Sequence, residues 1–209
     1  MLVNKQKILF VVDSLNKGSG VTSVVMNLFR NGNIQYDFFL IFNNKPDNFE
    51  DEVIKKGAKV YKVITKKSFN LLSFILNTRG IAKKFAKNYN IVHIHSIQFS
   101  LFVWIFFRIY NRKIKFVIHS HNAKLGDSLL KSTRNFLFIY PVRYLFKNKI
   151  ACSFEAYNGA FGSFENINPL IVHNAIDYDR FSKYKDIRNN RIDEYDIAED
   201  QIVIGHIGR

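Results

Sequence analysis

Lys7-Ile8-Leu9-Phe10-Val11-Val12-Asp13-Ser14-Leu15-Asn16-Lys17-Gly18-Ser19-Gly20 runs directly into Val21-Thr22-Ser23-Val24-Val25-Met26-Asn27-Leu28. The unbroken apolar run from Ile8 to Val12 has strand length and suits a strand covered on both faces. A glycine-rich turn follows, then a helix-period segment. Strand, glycine loop and helix in that order open a βαβ unit and predict a parallel sheet. Such a turn also offers free backbone N–H groups at the positive end of a helix, which suits a phosphate group. The stretch is not G-x-G-x-x-G, because Ser23 stands at the last position, and no Walker Lys-Ser/Thr pair is present. From loop composition alone, an ordinary βα turn whose glycines permit tight geometry fits equally well.

The same alternation continues outward. Strands are expected at 7–13, 36–42, 58–63, 91–95, 115–119, 149–152 and 170–173, with helices at 21–31, 49–56, 71–88, 100–110, 129–147 and 155–161. Gly57 reads as a helix C-cap, and Pro141 should kink or split the long segment around it. The fold class is therefore α/β, a Rossmann-like doubly wound parallel sheet. After Phe181 a charged run, 183–200, reads as a linker or surface helix, and 201–207 reads as a fresh strand. The expected organisation is one domain over 1–181, then a linker and the first strand of an incomplete second domain over 182–209.

With 209 residues and 47% hydrophobic content the chain can bury one substantial core, which excludes a disordered class. Lys and Arg number 31 against 17 Asp and Glu, a net charge of +14, which points to polyanionic partners. Nucleic acid, an anionic membrane and a phosphorylated substrate all share that sign. No nucleic-acid motif accompanies the charge, so nucleic acid is not expected. Cys152 is the single cysteine, so no intramolecular disulfide can form, and a reducing cytoplasm is the expected compartment. The run at 8–12 is too short for a signal-peptide core. The run at 99–110 is about half of the ~20 residues a spanning helix needs, and Arg108 interrupts it.

Two His-x-His pairs stand at the ends of the fourth and fifth expected strands: Val92-His93-Ile94-His95-Ser96 and Ile118-His119-Ser120-His121-Asn122. Ligands of doubly wound sheets bind outside the carboxyl ends of the strands, so His95 and His121 are the better site candidates. Side chains two apart on a strand share a face, which makes a four-histidine metal site conceivable. The carboxylates that usually support such a site are missing nearby, so no metal is expected. His93 and His119 are expected to lie buried and hydrogen-bonded beneath a helix. Between Lys131 and Lys149, basic residues interleave with aromatic ones. Arg134, Phe138, Arg143 and Lys147 are the expected membrane surface, a basic aromatic face suited to anionic lipid. A core-packing helix with a solvated basic face is the alternative.

In order along the chain, the pieces resemble family 4 retaining glycosyltransferases of the GT-B type, especially the capsule and exopolysaccharide branch. The likeness is carried by Lys7-Ile8-Leu9-Phe10-Val11, the glycine loop with Val24-Val25-Met26-Asn27-Leu28, Asp37-Phe38-Phe39 and Ile91-Val92-His93-Ile94-His95. It continues through His119-Ser120-His121-Asn122, Ala151-Cys152-Ser153, Asn174-Ala175-Ile176-Asp177 with Phe181, and Ile204-Gly205-His206-Ile207-Gly208-Arg209. The resemblance implies the acceptor-side half of a two-domain enzyme that takes a nucleotide-diphosphate sugar as co-substrate and needs no cofactor or metal. The implied acceptor is a polyprenyl-diphosphate-linked glycan at the inner face of the plasma membrane, where the protein would be peripheral.

Carried over by position, Gly20 and Arg209 match donor-diphosphate contacts, and His121 matches the crevice histidine beside the reacting sugar. Ser19, His95 and Asn122 fall in the acceptor crevice. Two features depart from the family: Ser19 stands where a glycine is usual, and Ser23 where a basic residue is common. The lysine expected about six residues after Arg209, and a later Glu-x7-Glu pair, do not occur in this sequence. The implied consequence is that this chain alone does not catalyse transfer. A non-catalytic membrane- or acceptor-binding remnant is the alternative reading.

Overall fold

β1 (Lys7–Val12) pairs in parallel with β2 (Gln35–Leu40) on one side and with β4 (Ile91–Ile94) on the other. β3 (Val60–Lys62), β5 (Lys115–Ser120), β6 (Asn148–Ala151) and β7 (Leu170–Ile171) complete a parallel sheet of order β3-β2-β1-β4-β5-β6-β7. The computed structural model describes residues 6–63, 70–123, 138–162 and 168–176. Met1–Ala175 forms one compact unit and Ile176–Arg209 another, and every element named here lies in the first. All seven expected strands are present, most of them one or two residues shorter than the apolar pattern suggested.

The α-helices bounded within the described residues are α1 (Gly20–Asn31), α2 (Glu50–Lys55), α3 (Leu71–Phe85), α4 (Ser100–Tyr110), α5 (Val142–Leu145) and α6 (Phe154–Phe161). α1, α3 and α6 begin on side-chain caps, where Ser19, Asn70 and Ser153 accept from the amides of Thr22, Ser73 and Ala156. Gly57 closes α2 at a φ of 85°, a left-handed conformation that favours glycine. Of the expected helix at 129–147, residues up to 137 lie outside the described residues. Helical backbone at 138–139 stops ahead of Pro141, and α5 starts after it.

The alternation of strand side chains divides the core in two. Leu9, Val11, Phe39, Val92, Ile94, Phe116 and Ile118 face α3, α4 and α6 through Phe74, Val103, Phe107 and Phe161. On the opposite face Ile8, Phe10, Val12, Phe38 and Leu40 meet Val25 and Met26 of α1 and Val53 of α2. Both faces are covered, which is why the strands read as continuous apolar runs.

One charge sits inside this core. The fully buried Asp37 forms an ion pair with Lys7 Nζ at 2.8 Å and accepts from the Tyr89 hydroxyl at 2.6 Å and the Lys59 amide at 2.8 Å. Tyr89 in turn lies 3.0 Å from the Tyr61 hydroxyl, so the network ties β1, β2, β3 and the entry to β4. Among the described residues, no helix is long and apolar enough to cross a membrane.

Candidate functional site

The sheet order reverses between β1 and β4, so the chain leaves these two strands in opposite directions and opens a crevice at their carboxyl ends. That crevice is lined by Asp13 and Ser14 after β1, Ser19 and Thr22 at the start of α1, His95 and Ser96 after β4, and Ser120, His121 and Asn122 from β5 onward. Three of the expected crevice residues, Ser19, His95 and Asn122, therefore meet at one place together with His121.

The α1 side is built by local hydrogen bonding. Gly18 turns the chain at a φ of 77°, Ser19 Oγ accepts from the Thr22 amide at 3.4 Å, and Thr22 Oγ1 donates to the Ser14 carbonyl at 3.1 Å. The first amides of α1 have no partner within the helix by its geometry, and Gly20 is exposed. A side chain added at Gly20 would meet nothing. The chain's own packing therefore asks for glycine at Gly18, where the backbone is left-handed, and leaves the Gly20 backbone open to approach.

Across the crevice, Ser96 Oγ donates to Asp13 Oδ1 at 2.6 Å and bridges the two diverging strand ends. Neither residue stands out in the sequence. Position was the available signal, since Asp13 ends the first strand and Ser96 directly follows His95. The β5 exit is held from behind. Cys152 Sγ donates to the His121 carbonyl at 3.5 Å, and Ser120 Oγ to the Asn122 carbonyl at 3.3 Å. Gly159 of α6 lies so close to the Ala123 carbonyl that any side chain there would collide with it. No local pattern in the sequence signals that contact.

The four imidazoles form a single array. His93 and His95 stack at 4.3 Å between ring centroids, His119 and His121 at 4.2 Å, and His95 and His121 at 5.1 Å. Phe10 closes the array at 5.4 Å from His93 and 5.5 Å from His95. His95 Nδ1 and His121 Nε2 are 2.8 Å apart, one ring donating to the other.

The expectation that His93 and His119 are hydrogen-bonded is not met. His119 is buried and His93 half-buried, but His93 Nε2, His95 Nε2 and both ring nitrogens of His119 are buried with no hydrogen-bond partner among the described residues. The physical reason is placement: among the described residues these rings meet each other and Phe10 through ring contacts, and the one hydrogen bond within the array joins His95 to His121. Burial disfavours the imidazolium form, lowering the pKa to about 4 for His93 and about 3 for His119, and well below the usual range for His95. His121 is also lowered by burial, with the Asn174 side chain opposing. The array is thus neutral at pH 7.

Arg209 and Arg134 lie outside the described residues. Phe138 packs against Phe102 at 5.7 Å, and Arg143 Nε donates to the Ala160 carbonyl at 3.3 Å, so both are engaged by the protein. Lys147 is exposed, and Tyr140, Tyr144 and Leu145 are exposed beside it.

No protein-family model matches the chain. The chain is 27% identical over 215 residues to "Putative glycosyltransferase EpsF" of Bacillus subtilis, an alignment covering 99% of this chain and 54% of that protein. Among solved structures it is similar to Anabaena Alr3699/HepE in complex with UDP, with a TM-score of 0.64 and 14% identity over 88% of this chain and 50% of the other. It is also similar to a glycosyltransferase from Rickettsia africae, with a TM-score of 0.57 and 18% identity over 94% and 51% of the two chains. A UDP-GlcNAc 2-epimerase from Neisseria meningitidis bound to UDP-GlcNAc gives a TM-score of 0.56 and 13% identity over 93% and 54%. These structures establish the fold, a Rossmann-like domain of the GT-B kind. The chain spans about half the length of the proteins it matches.

Proposed function

We propose that this chain is the acceptor-side half of a glycosyltransferase that moves a sugar from a nucleotide-diphosphate sugar to a polyprenyl-diphosphate-linked glycan, with retention of configuration, in capsule or exopolysaccharide synthesis. The observation that carries the proposal is the convergence of the α1 N-terminus and the His121 imidazole on one crevice at the β1/β4 switch point. Similarity along nearly the whole chain to a protein named as a glycosyltransferase supports it.

Departure of a nucleotide diphosphate develops negative charge that preorganised donors must meet. The open backbone at Gly20 and the positive end of α1 supply part of this, and Arg209 is the cation the family resemblance assigns to the rest. A neutral His121, held by His95 at Nε2 and by its backbone contact with Cys152, keeps one ring nitrogen for a sugar hydroxyl, the buried Nδ1. No metal is needed for these roles.

The test joins the chain to the second half of its EpsF-like relative and incubates it with radiolabelled UDP-sugars and a polyprenyl-diphosphate-glycan acceptor. Label entering the lipid fraction supports the reading. Conversion of UDP-GlcNAc to its epimer without transfer, or no turnover with any donor, refutes it.

A further inference from the structure

We propose that His93, His95 and His119 bind one late divalent transition-metal ion of the zinc class between β4 and β5, independently of any glycosyltransferase activity. A buried polar atom without a partner is destabilising, and His93, His95 and His119 together hold four unpartnered imidazole nitrogens. Those residues are also mutually close. Each of the three rings offers a nitrogen within 4.8 Å of the others. The parallel register that pairs Ile94 with Ile118 sets His95 beside His119, and the His-x-His repeat adds His93 on the same face.

The donor set chooses the ion. It is all imidazole, which suits zinc, copper or nickel and not the oxygen-seeking magnesium or calcium. Zinc–nitrogen bonds of about 2.0–2.1 Å place tetrahedral ligand atoms about 3.3 Å apart, so the rings need to swing inward by about 1 Å to close on an ion. Burial already keeps the rings neutral, the form that binds metal.

The supporting group whose absence argued against a metal is also present in another form. A ligating histidine is normally oriented by a hydrogen bond from its other nitrogen. For His95 that partner is His121, at 2.8 Å. An ion on His95 Nε2 would leave Nδ1–H to donate to His121 Nε2, fixing the tautomer of the crevice histidine as well as stapling β4 to β5.

The experiment uses the full chain without an affinity tag, stripped with chelator and then titrated with Co²⁺ or Zn²⁺. The expected result is one ion per chain, visible Co²⁺ absorption of tetrahedral type, and a melting temperature raised by about 5 °C at saturating Zn²⁺. His93→Gln and His119→Gln should each weaken binding by about 10²-fold. His173→Ala, at an exposed residue outside the array, should leave it unchanged. Wild-type protein that shows no Co²⁺ absorption and no thermal shift overturns the proposal even if the array variants fail to fold. So does stoichiometric binding that survives both glutamine substitutions, since the ion would then sit elsewhere.

Discussion

His95 Nδ1 lies 2.8 Å from His121 Nε2, and this contact joins the two imidazoles that line the crevice from β4 and from β5. The two rings are also stacked, their planes 19° apart. Whatever fixes the tautomer of His95 therefore fixes whether His121 Nδ1 carries a proton.

The buried histidines should make the metal-free chain acid-labile. Unfolded histidine titrates near pH 6.5, while His93 and His119 stay neutral in the fold down to about 4 and 3. Below pH 6.5 the unfolded chain therefore binds more protons than the folded one. Stability is full above that pH and falls as pH drops through the window, by up to about 1.4 kcal/mol per pH unit for each such site. Urea midpoints measured with chelator at pH 7 and pH 5 should differ, and His119→Phe should flatten the dependence. Equal midpoints in the wild-type chain would contradict the burial assigned to the array.

Asp37 is the charge on which the β1–β2–β3 side depends. Its replacement by Ala leaves the Tyr89 hydroxyl, the Lys59 amide and the Lys7 ammonium facing a hole, at an expected loss of about 3 kcal/mol. Asp37→Asn keeps an acceptor and should cost less. Denaturant unfolding of the two variants checks the ranking, and similar losses would sink the account of the network.

Gly159→Ala tests the close approach of α6 to the β5 exit. The added methyl collides with the Ala123 carbonyl, so the 121–123 segment must move. We expect a loss of about 1–3 kcal/mol in stability, together with a fall in transfer activity larger than that stability loss accounts for. A Gly159→Ala variant as stable as wild type would mean that α6 does not set the position of His121.

Tyr144 and Leu145 of α5 are exposed, as are Tyr140 before it and Lys147 after it. If these residues meet anionic lipid, Lys147→Glu combined with Tyr144→Ser should weaken flotation with phosphatidylserine vesicles and leave behaviour with neutral vesicles unchanged. Flotation of the double variant equal to wild type would remove these residues from the membrane reading.

The sheet was legible because its physics is local. Ile8–Val12 and 38–42 are apolar without a break since both of their faces are covered, and Gly18, Ser19 and Gly57 mark turns through their own backbone and capping preferences. His121, His95, Ser19 and Asn122 could be placed in one crevice because strand ends converge there by topology. What stayed hidden depends on contacts between distant segments. The Asp13–Ser96 bridge spans 83 positions, and Gly159 matters only through Ala123, so no periodicity announces either. The histidine array was half visible: the repeat predicted shared faces, but the hydrogen bonds expected for His93 and His119 required partners that the β4–β5 register does not provide.

The central claim, that the crevice holding His121 is where a sugar is transferred, rests on one residue more than any other. The most direct measurement is kcat for His121→Ala against wild type, in the chain joined to a donor half, with circular dichroism confirming the fold. The account predicts a fall of about 10²-fold or more in kcat, the scale of losing one preorganised group at a reacting centre, and a comparable fall for Arg209→Ala. Unchanged turnover in a folded His121→Ala protein would contradict it.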